Sequence, residues 1–393
     1  MRFAKLLQVV IVTCGVSLLA IWSSGFGLEI AQAKILDRIS EMAYPVADNH
    51  SAVVNDFEHQ PRVAIVSKTH GPDHFQHLAQ SLCLLHAAYN RRVLYDIIVF
   101  STLPYSEEQM DVLRQVVSPA SITLHIDKQT LQEQLAELAP HQLKRLISTC
   151  ENVSSVEDFT WQTWCVNGWL KNQLQYSWMS EFRSKQLWLQ EALKPYQYMI
   201  WFDSDSFPTQ VWQQDPVAFM IRNDLVLLIA NFPSIMPGHT GVQKRIHAVY
   251  NKTLCSIGIG EDARMNTTYT KNGENCWDAN VRKVHGFFHL TNLDFYRQPQ
   301  NIHWSNVMVG DEKFGRVWDD QLNVVVPPAM LAPHRAMDME TAGLMLEVMH
   351  NGYVMGKRKY KGGAYLMYHR REGAEKFPEA HETCSALVVV PMR

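Results

Sequence analysis

No Gly-x-Gly-x-x-Gly and no Walker sequence follows the first strand-like run of this chain, RVAIVSK at residues 62–68. Dinucleotide dehydrogenases and P-loop enzymes need those glycines to bring backbone N–H groups against phosphate, so both classes are disfavoured. None of the seven cysteines is spaced Cys-x-x-Cys, which argues against structural zinc and thioredoxin-like chemistry. An excess of one charge is missing too: 36 Lys and Arg against 39 Asp and Glu leave a formal net charge of -3. Without long like-charge runs, no dedicated nucleic-acid surface is expected.

What is present is ordinary for a globular protein: 393 residues, 47% hydrophobic and 19% charged, enough for a sizeable core in one large or two modest domains. The N-terminus says more. Arg2 and Lys5 precede an uncharged stretch from Leu6 to Leu28, densest in apolar residues up to Trp22 and long enough to cross a bilayer as a helix. Positive charges before the span place the remainder outside the cytosol, making residues 1–28 a cytoplasmic tip and type II signal anchor. Ala31-Gln32-Ala33 offers the alternative of a cleaved signal peptide, although it lies well beyond the apolar run. Either way the chain enters the secretory route. Four sequons, at Asn49, Asn152, Asn251 and Asn266, suit that address. Beyond Cys14 six cysteines remain, and Cys150 with Cys165 and Cys255 with Cys276 are the expected pairs as nearest neighbours.

Residues 29–60 lack a sustained period and read as a stem; residues 61–393 form the folded domain. Strand, helix, strand, helix, strand follow one another through residues 62–68, 78–88, 94–102, 106–117 and 121–127. That order predicts a Rossmann-like, mostly parallel sheet flanked by helices. The loop from Lys68 to His74 would lie at the carboxyl edge of the sheet, where a nucleoside diphosphate can be held. His70, Asp73 and His74 within it read as solvated turn residues. From Leu131 to Leu193 the pattern is helical and rich in tryptophan, read mainly as packing between helices.

The stretch YQYMIWFDSDSFPT, Tyr196 to Thr209, organises the rest. An apolar strand ends abruptly in Asp203 and Asp205, two carboxylates that alternation directs to one side, where they can share a hard cation. The other reading is a pair of acids capping a surface turn. Further on, Asp319, Asp320 and Gln321 follow Trp318 before an apolar run read as a strand. They suit the orientation of an acceptor hydroxyl, or equally the cap of a helix. Near the C-terminus Lys357, Arg358, Lys359 and Lys361 can offset a diphosphate, or form a solvated loop. His369 can complete a Mn²⁺ coordination sphere with the two acids.

Anchor, stem, sheet, WFDSDSF, WDDQ and the terminal His segment stand in the order of Golgi nucleotide-sugar glycosyltransferases of the GT-A type, which the chain resembles from about Pro61 to Pro378. The tail HRREGAEKFP resembles the H-x-x-G-x-x-K-x-W ending of glycogenin-like retaining transferases, with one extra residue before the glycine and Phe377 for the aromatic one position later. That resemblance implies His369 on manganese, Lys376 on the diphosphate and Gly373 allowing close backbone approach. GFFHLTNLDFYR is similar to the SNFEIADLDFWR-like segment of fungal α-1,2-mannosyltransferases, with His289 where that family has its proposed nucleophilic Glu, and Val324 at its metal-binding His.

The resemblances imply a single GT-A domain that uses Mn²⁺ or Mg²⁺ and a GDP- or UDP-linked sugar, transferring it, with retention, to a glycan or glycoprotein in the Golgi or another secretory-pathway membrane. Asp203, Asp205 and His369 would hold the metal. Lys376, Lys359 and Gly373 would serve the donor, and Asp320, with Asp319 and Gln321, the acceptor or the cationic sugar. A D-x-D phosphatase and a non-catalytic lumenal glycan-binding protein are the alternatives.

Overall fold

The strand run VAIVSKT is buried along its whole length, as a strand covered on both faces must be, and it forms the middle of the sheet. The computed structural model describes residues 61–167, 170–230, 242–252, 286–310, 319–339, 342–344 and 346–350, with short pieces at 234–235, 282–283, 314, 353–354, 377, 380 and 383–384. The expected anchor and stem, Cys255, Cys276, Asn49 and Asn266 lie outside the described residues. Among those that are described, no helix is long and apolar enough to cross a membrane.

In chain order the strands are β1 (Val63–Thr69), β2 (Asp96–Ser101), β3 (Ile122–Ile126), β4 (Trp164–Asn167), β5 (Leu170–Gln173), β6 (Tyr198–Phe202), β7 (Ser206–Pro208) and β8 (Leu227–Ile229). They continue with β9 (Ser234–Ile235), β10 (Arg282–Lys283), β11 (Phe288–Asn292), β12 (Ala336–Asp338), β13 (Val348–His350) and β14 (Tyr353–Val354). Seven form one sheet in the order β12-β8-β11-β6-β1-β2-β3. β3, β2, β1 and β6 run parallel, as does β12 to β8, while β11 is antiparallel to both its neighbours.

Alternation along the strands fills a layer on each side. Ile65, Ile97, Val99, Ile200 and Phe202 pack beneath helices Phe75–Leu85 and Glu107–Val117. Ala64, Val66, Ile98, Phe100, Met199 and Trp201 share the other layer with helices Pro299–Val309 and Asp319–Leu331. At about 1.5–3 kcal/mol for each large apolar side chain removed from water, these layers fix where the strand ends lie. Local signals agree. Ser106 and Gln109 exchange side-chain and backbone hydrogen bonds at the start of helix Glu107–Val117, a capping box.

Two expectations are corrected. The span from Leu131 to Leu193 holds helices Leu131–Ala136, Pro140–Thr149 and Leu174–Glu181, but it also holds the antiparallel hairpin β4–β5. The hairpin is tied to the preceding helix through Cys150–Cys165, with sulfurs 2.05 Å apart, and it sits on a separate small core of Leu131, Leu135, Leu146, Phe159, Trp161 and Trp178. The apolar run after Gln321 is helical, within Asp319–Leu331 and through Pro327 and Pro328. Leu322, Val324, Val325 and Val326 are all buried, so a deeply buried helix shows the unbroken apolar run that otherwise marks a strand. A second bond, Cys83–Cys384, joins helix Phe75–Leu85 to the C-terminal segment across 301 residues. Asn152 and Asn251 are exposed.

Candidate active site

Strand β6 ends where the sheet turns acidic. Asp203 donates its backbone N–H to Phe287 O at 2.9 Å and accepts from Ser206 N at 2.9 Å, and this tight turn sends the chain into β7. Strand β13 pairs with β7, setting His350 opposite Ser206. The turn and the pairing bring three groups together: one ligand atom each from Asp203, Asp205 and His350 lies within 4.8 Å of the others. His350 Nε2 is 3.1 Å from Asp205 Oδ1 and 3.7 Å from Asp203 Oδ2, and its ring stacks on Phe287 at 4.8 Å. The group lies at the carboxyl edge of the parallel strands, where α/β sheets hold ligands.

The electrostatics are those of charges crowded out of water. Burial pushes the Asp203 carboxyl up, against the pull of Arg183 and His350. At Asp205 burial acts in the same sense, but the hydrogen bond and charge of His350 outweigh it and the net shift is downward. Burial draws the His350 imidazole down, and its two carboxylate neighbours more than reverse this. Two hard oxygens and one imidazole nitrogen, sharing too much negative charge for a dry site, are a donor set that fits Mn²⁺ or Mg²⁺.

Arg183 ties this group to Asp320. It follows helix Leu174–Glu181, in the one-turn π-helix Phe182–Gln186, with its guanidinium 4.6 Å above the Trp201 ring. Its Nη1 lies 2.9 Å from Asp320 Oδ2 and 3.7 Å from Asp203 Oδ1, and its Nη2 donates to Gly286 O. A Cβ on residue 286 would stand 2.7 Å from that nitrogen, so any other residue there would push the guanidinium aside. Trp201 Nε1 donates to Asp203 Oδ1 at 2.6 Å. Burial pushes the Asp320 carboxyl up, with Arg183 opposing it.

These residues line one cleft of about 460 Å³, together with Lys68 and His70 from the end of β1 and with residues of the β4–β5 hairpin. Lys68 Nζ is 2.6 Å from Asp127 Oδ1 and lies over the Phe182 ring, while Trp178 Nε1 donates to Asp127 Oδ2 at 2.8 Å. Burial lowers the lysine to about 8, with Asp127 pulling the other way. His70 is buried rather than solvated: it is 4% exposed, neither ring nitrogen has a partner, and burial first, then the neighbouring His74 and Lys68, draws it down to about 4.

Of the sequence candidates, Asp203, Asp205 and Asp320 meet at the cleft. Asp319 opens the same helix as Asp320, and Gln321 buries its Oε1 without a partner. His369, Gly373, Lys376 and Lys359 lie outside the described residues. His289 lies in β11 opposite Trp201 and Ile229, 1% exposed, with both nitrogens unpartnered and its ring parallel to Trp201 at 6.2 Å. Val324 is buried in its helix. Sequence reasoning missed Arg183 and His350. A lone arginine in a helical stretch carries no signal, whereas Asn351-Gly352 after His350 is the strongest short hairpin signal and would have placed His350 at a strand end.

No family model matches the chain and no curated relative does. Solved structures do match. Core-mannan synthase A from Aspergillus fumigatus, in its Mn/GDP form, is 14% identical, with 80% of this chain and 86% of that chain covered at a TM-score of 0.56. The mannosyltransferase Ktr4p from S. cerevisiae, in complex with GDP, is 13% identical, with 91% and 90% covered at a TM-score of 0.55. At such identities the likeness concerns the fold, which is the one expected from the sequence: a GT-A-type α/β domain with a mostly parallel central sheet flanked by helices.

Proposed function

We propose that this chain is a metal-dependent glycosyltransferase that moves a sugar from a nucleoside-diphosphate donor to a glycan or glycoprotein hydroxyl. The observation that carries the proposal is the convergence of Asp203, Asp205 and His350 at the carboxyl edge of the sheet, inside a cleft that also holds Arg183 and Asp320. The Mn and GDP named for core-mannan synthase A, and the GDP named for Ktr4p, agree with it.

Asp203, Asp205 and His350 would hold Mn²⁺ or Mg²⁺. The ion, when bound, would supply counter-charge for the diphosphate as it leaves. Lys68 and the unpartnered His70, at the end of β1, offer the donor a buried cation and a neutral imidazole. Arg183 pairs with Asp320 in the cleft and opposes the upward push of burial on its carboxyl, which as a carboxylate would stabilise positive charge developing on the sugar. Trp201 orients Asp203 through its indole N–H. Retention of configuration and the roles of His369, Lys376 and Gly373 rest on the sequence resemblance, and that of Lys359 on its charge. A lumenal, Golgi-type location on an N-terminal anchor is supported by residues 6–28 and by cysteine pairs suited to an oxidising compartment.

The test is calorimetric titration of the purified chain with GDP and UDP in Mn²⁺, followed by donor hydrolysis with the matching sugar nucleotides. Binding that disappears in Asp205→Asn supports the reading. No binding of either diphosphate, or Mg²⁺-dependent release of phosphate from simple monoesters, would overturn it.

A further inference from the structure

The β4–β5 hairpin is held more firmly than a surface excursion needs to be. Cys165 is bonded to Cys150, Glu151 N donates to Trp164 O at 2.8 Å, and Leu174 and Gln175 donate backbone N–H groups to Thr163 O and Trp161 O at 2.9 Å each. Alternation along β4 puts Cys165 inward, 1% exposed, and turns Trp164 outward. Trp161, Trp178, Trp188, Trp201, Trp212 and Trp304 are all buried, whereas Trp164 stays 44% exposed on the wall of the cleft. Tyr176, in the helix that follows the hairpin, is 54% exposed and lines the same cleft.

Three amides also line the cleft: Gln173, which pairs opposite Trp164, with Asn172 and Gln175. Gln175 Nε2 donates to Gln173 Oε1 at 2.6 Å, which leaves Gln175 Oε1, like Asn172 Nδ2, buried without a partner. Lys171 Nζ, paired with Glu151 at 2.6 Å, lies 5.6 Å from the centroid of the Trp164 ring; the rest of the wall is aromatic surface and unsatisfied amides, which match a carbohydrate. Rings pack on the C–H faces of pyranoses, and amides offer paired donor and acceptor atoms to adjacent hydroxyls. Tyr176 lies within electrostatic reach of Asp320, Asp203 and Asp205, so a ligand on this wall ends beside the acids.

Resting on the glycosyltransferase reading above, we propose that the wall formed by Trp164, Asn172, Gln173, Gln175 and Tyr176 is the acceptor subsite and that it takes a neutral oligosaccharide. The acceptor sugar next to the one whose hydroxyl attacks the donor stacks on an aromatic face, and the amides fix its hydroxyls. The cations nearby, Lys171, Lys68 and Arg183, are already paired with Glu151, Asp127 and Asp320, so anionic glycans gain little from them.

The experiment uses the full chain on an array of neutral mannose-, galactose- and glucose-terminated oligosaccharides beside sialylated and sulfated ones. Transfer kinetics and calorimetric nucleotide binding are measured on the same samples. Expected are retention of a neutral oligosaccharide, loss of that retention in Trp164→Ala and Tyr176→Ala, and an acceptor KM raised about tenfold or more with nucleotide Kd within about twofold. Trp164→Phe, which keeps a stacking face, should recover most of the affinity. Retention of anionic glycans alone, or an unchanged acceptor KM in Trp164→Ala, would overturn the subsite. Failure of nucleotide binding in the unsubstituted chain would instead sink the transferase reading, and the array would still decide whether Trp164 holds a neutral glycan.

Discussion

Two parts of one cleft are built in opposite ways. In the acid-lined part, Asp203, Asp205, Asp320, Arg183 and His350 come from the turn after β6, two helical segments and β13, and each is held by partners from another element. On the hairpin wall, Trp164 and Asn172 to Tyr176 come from one short local piece, clipped by a disulfide and left short of partners. The first part stores charge that the fold must balance within itself. The second stores contact surface that costs the fold little, so its residues can change with the ligand while the acids cannot.

The sharpest way to break this contrast is to remove one acid. Asp205→Asn should lower transfer by about a thousandfold or more and abolish Mn²⁺-dependent nucleotide binding, with little change in melting temperature; calorimetry and initial rates check it. A loss confined to KM for the acceptor would erase the distinction between the two parts. Next, Arg183→Met should cost about 3–5 kcal/mol in a denaturant titration, because it strands the buried Asp320 beside Asp203. Adding Asp320→Asn in the same chain should return a large share of that loss, as the charge is then gone.

The pH dependence sharpens the boundary between the parts. His70 is held near 4 in the fold against an ordinary 6.5, so between those values the unfolded chain takes up a proton that the folded one refuses. Its contribution is complete above about pH 6.5 and is lost as pH falls towards 4, by about 3 kcal/mol at most. Melting curves at pH 7, 5.5 and 4.5 should steepen this way, and His70→Gln should flatten the slope. Smallest of all, Val166→Ala and Trp164→Ala should each shift stability by less than about 0.5 kcal/mol, since both side chains stand out from the core.

Legibility in the sequence followed the same divide between local and distant causes. β1, β2, β3 and β6 were visible as apolar runs bounded by turn residues, and Asp203 and Asp205 as the abrupt end of one of them. The helix at Glu107 was visible as the helical stretch over residues 106–117. What escaped depends on contacts far apart in the chain. His350 reaches Asp205 only because β13 pairs with β7, and Arg183 reaches Asp320 only because two helical segments pack face to face. Pro327 and Pro328 should each disrupt a helix, yet burial of Leu322 and Val324 to Val326 holds the turn around them. The β4–β5 hairpin was masked by a run of tryptophans read as packing between helices, although most of them, such as Trp161 and Trp178, are buried as expected.

The Cys83–Cys384 bond has a further meaning in terms of connectivity. It closes almost the entire domain into a covalent ring, so that every strand after β1, the acids of the cleft and the hairpin wall all lie on one closed loop. A single protease cut anywhere on that loop would open the ring without releasing a fragment. The nicked protein would migrate as one species until a reductant was added, and then as two.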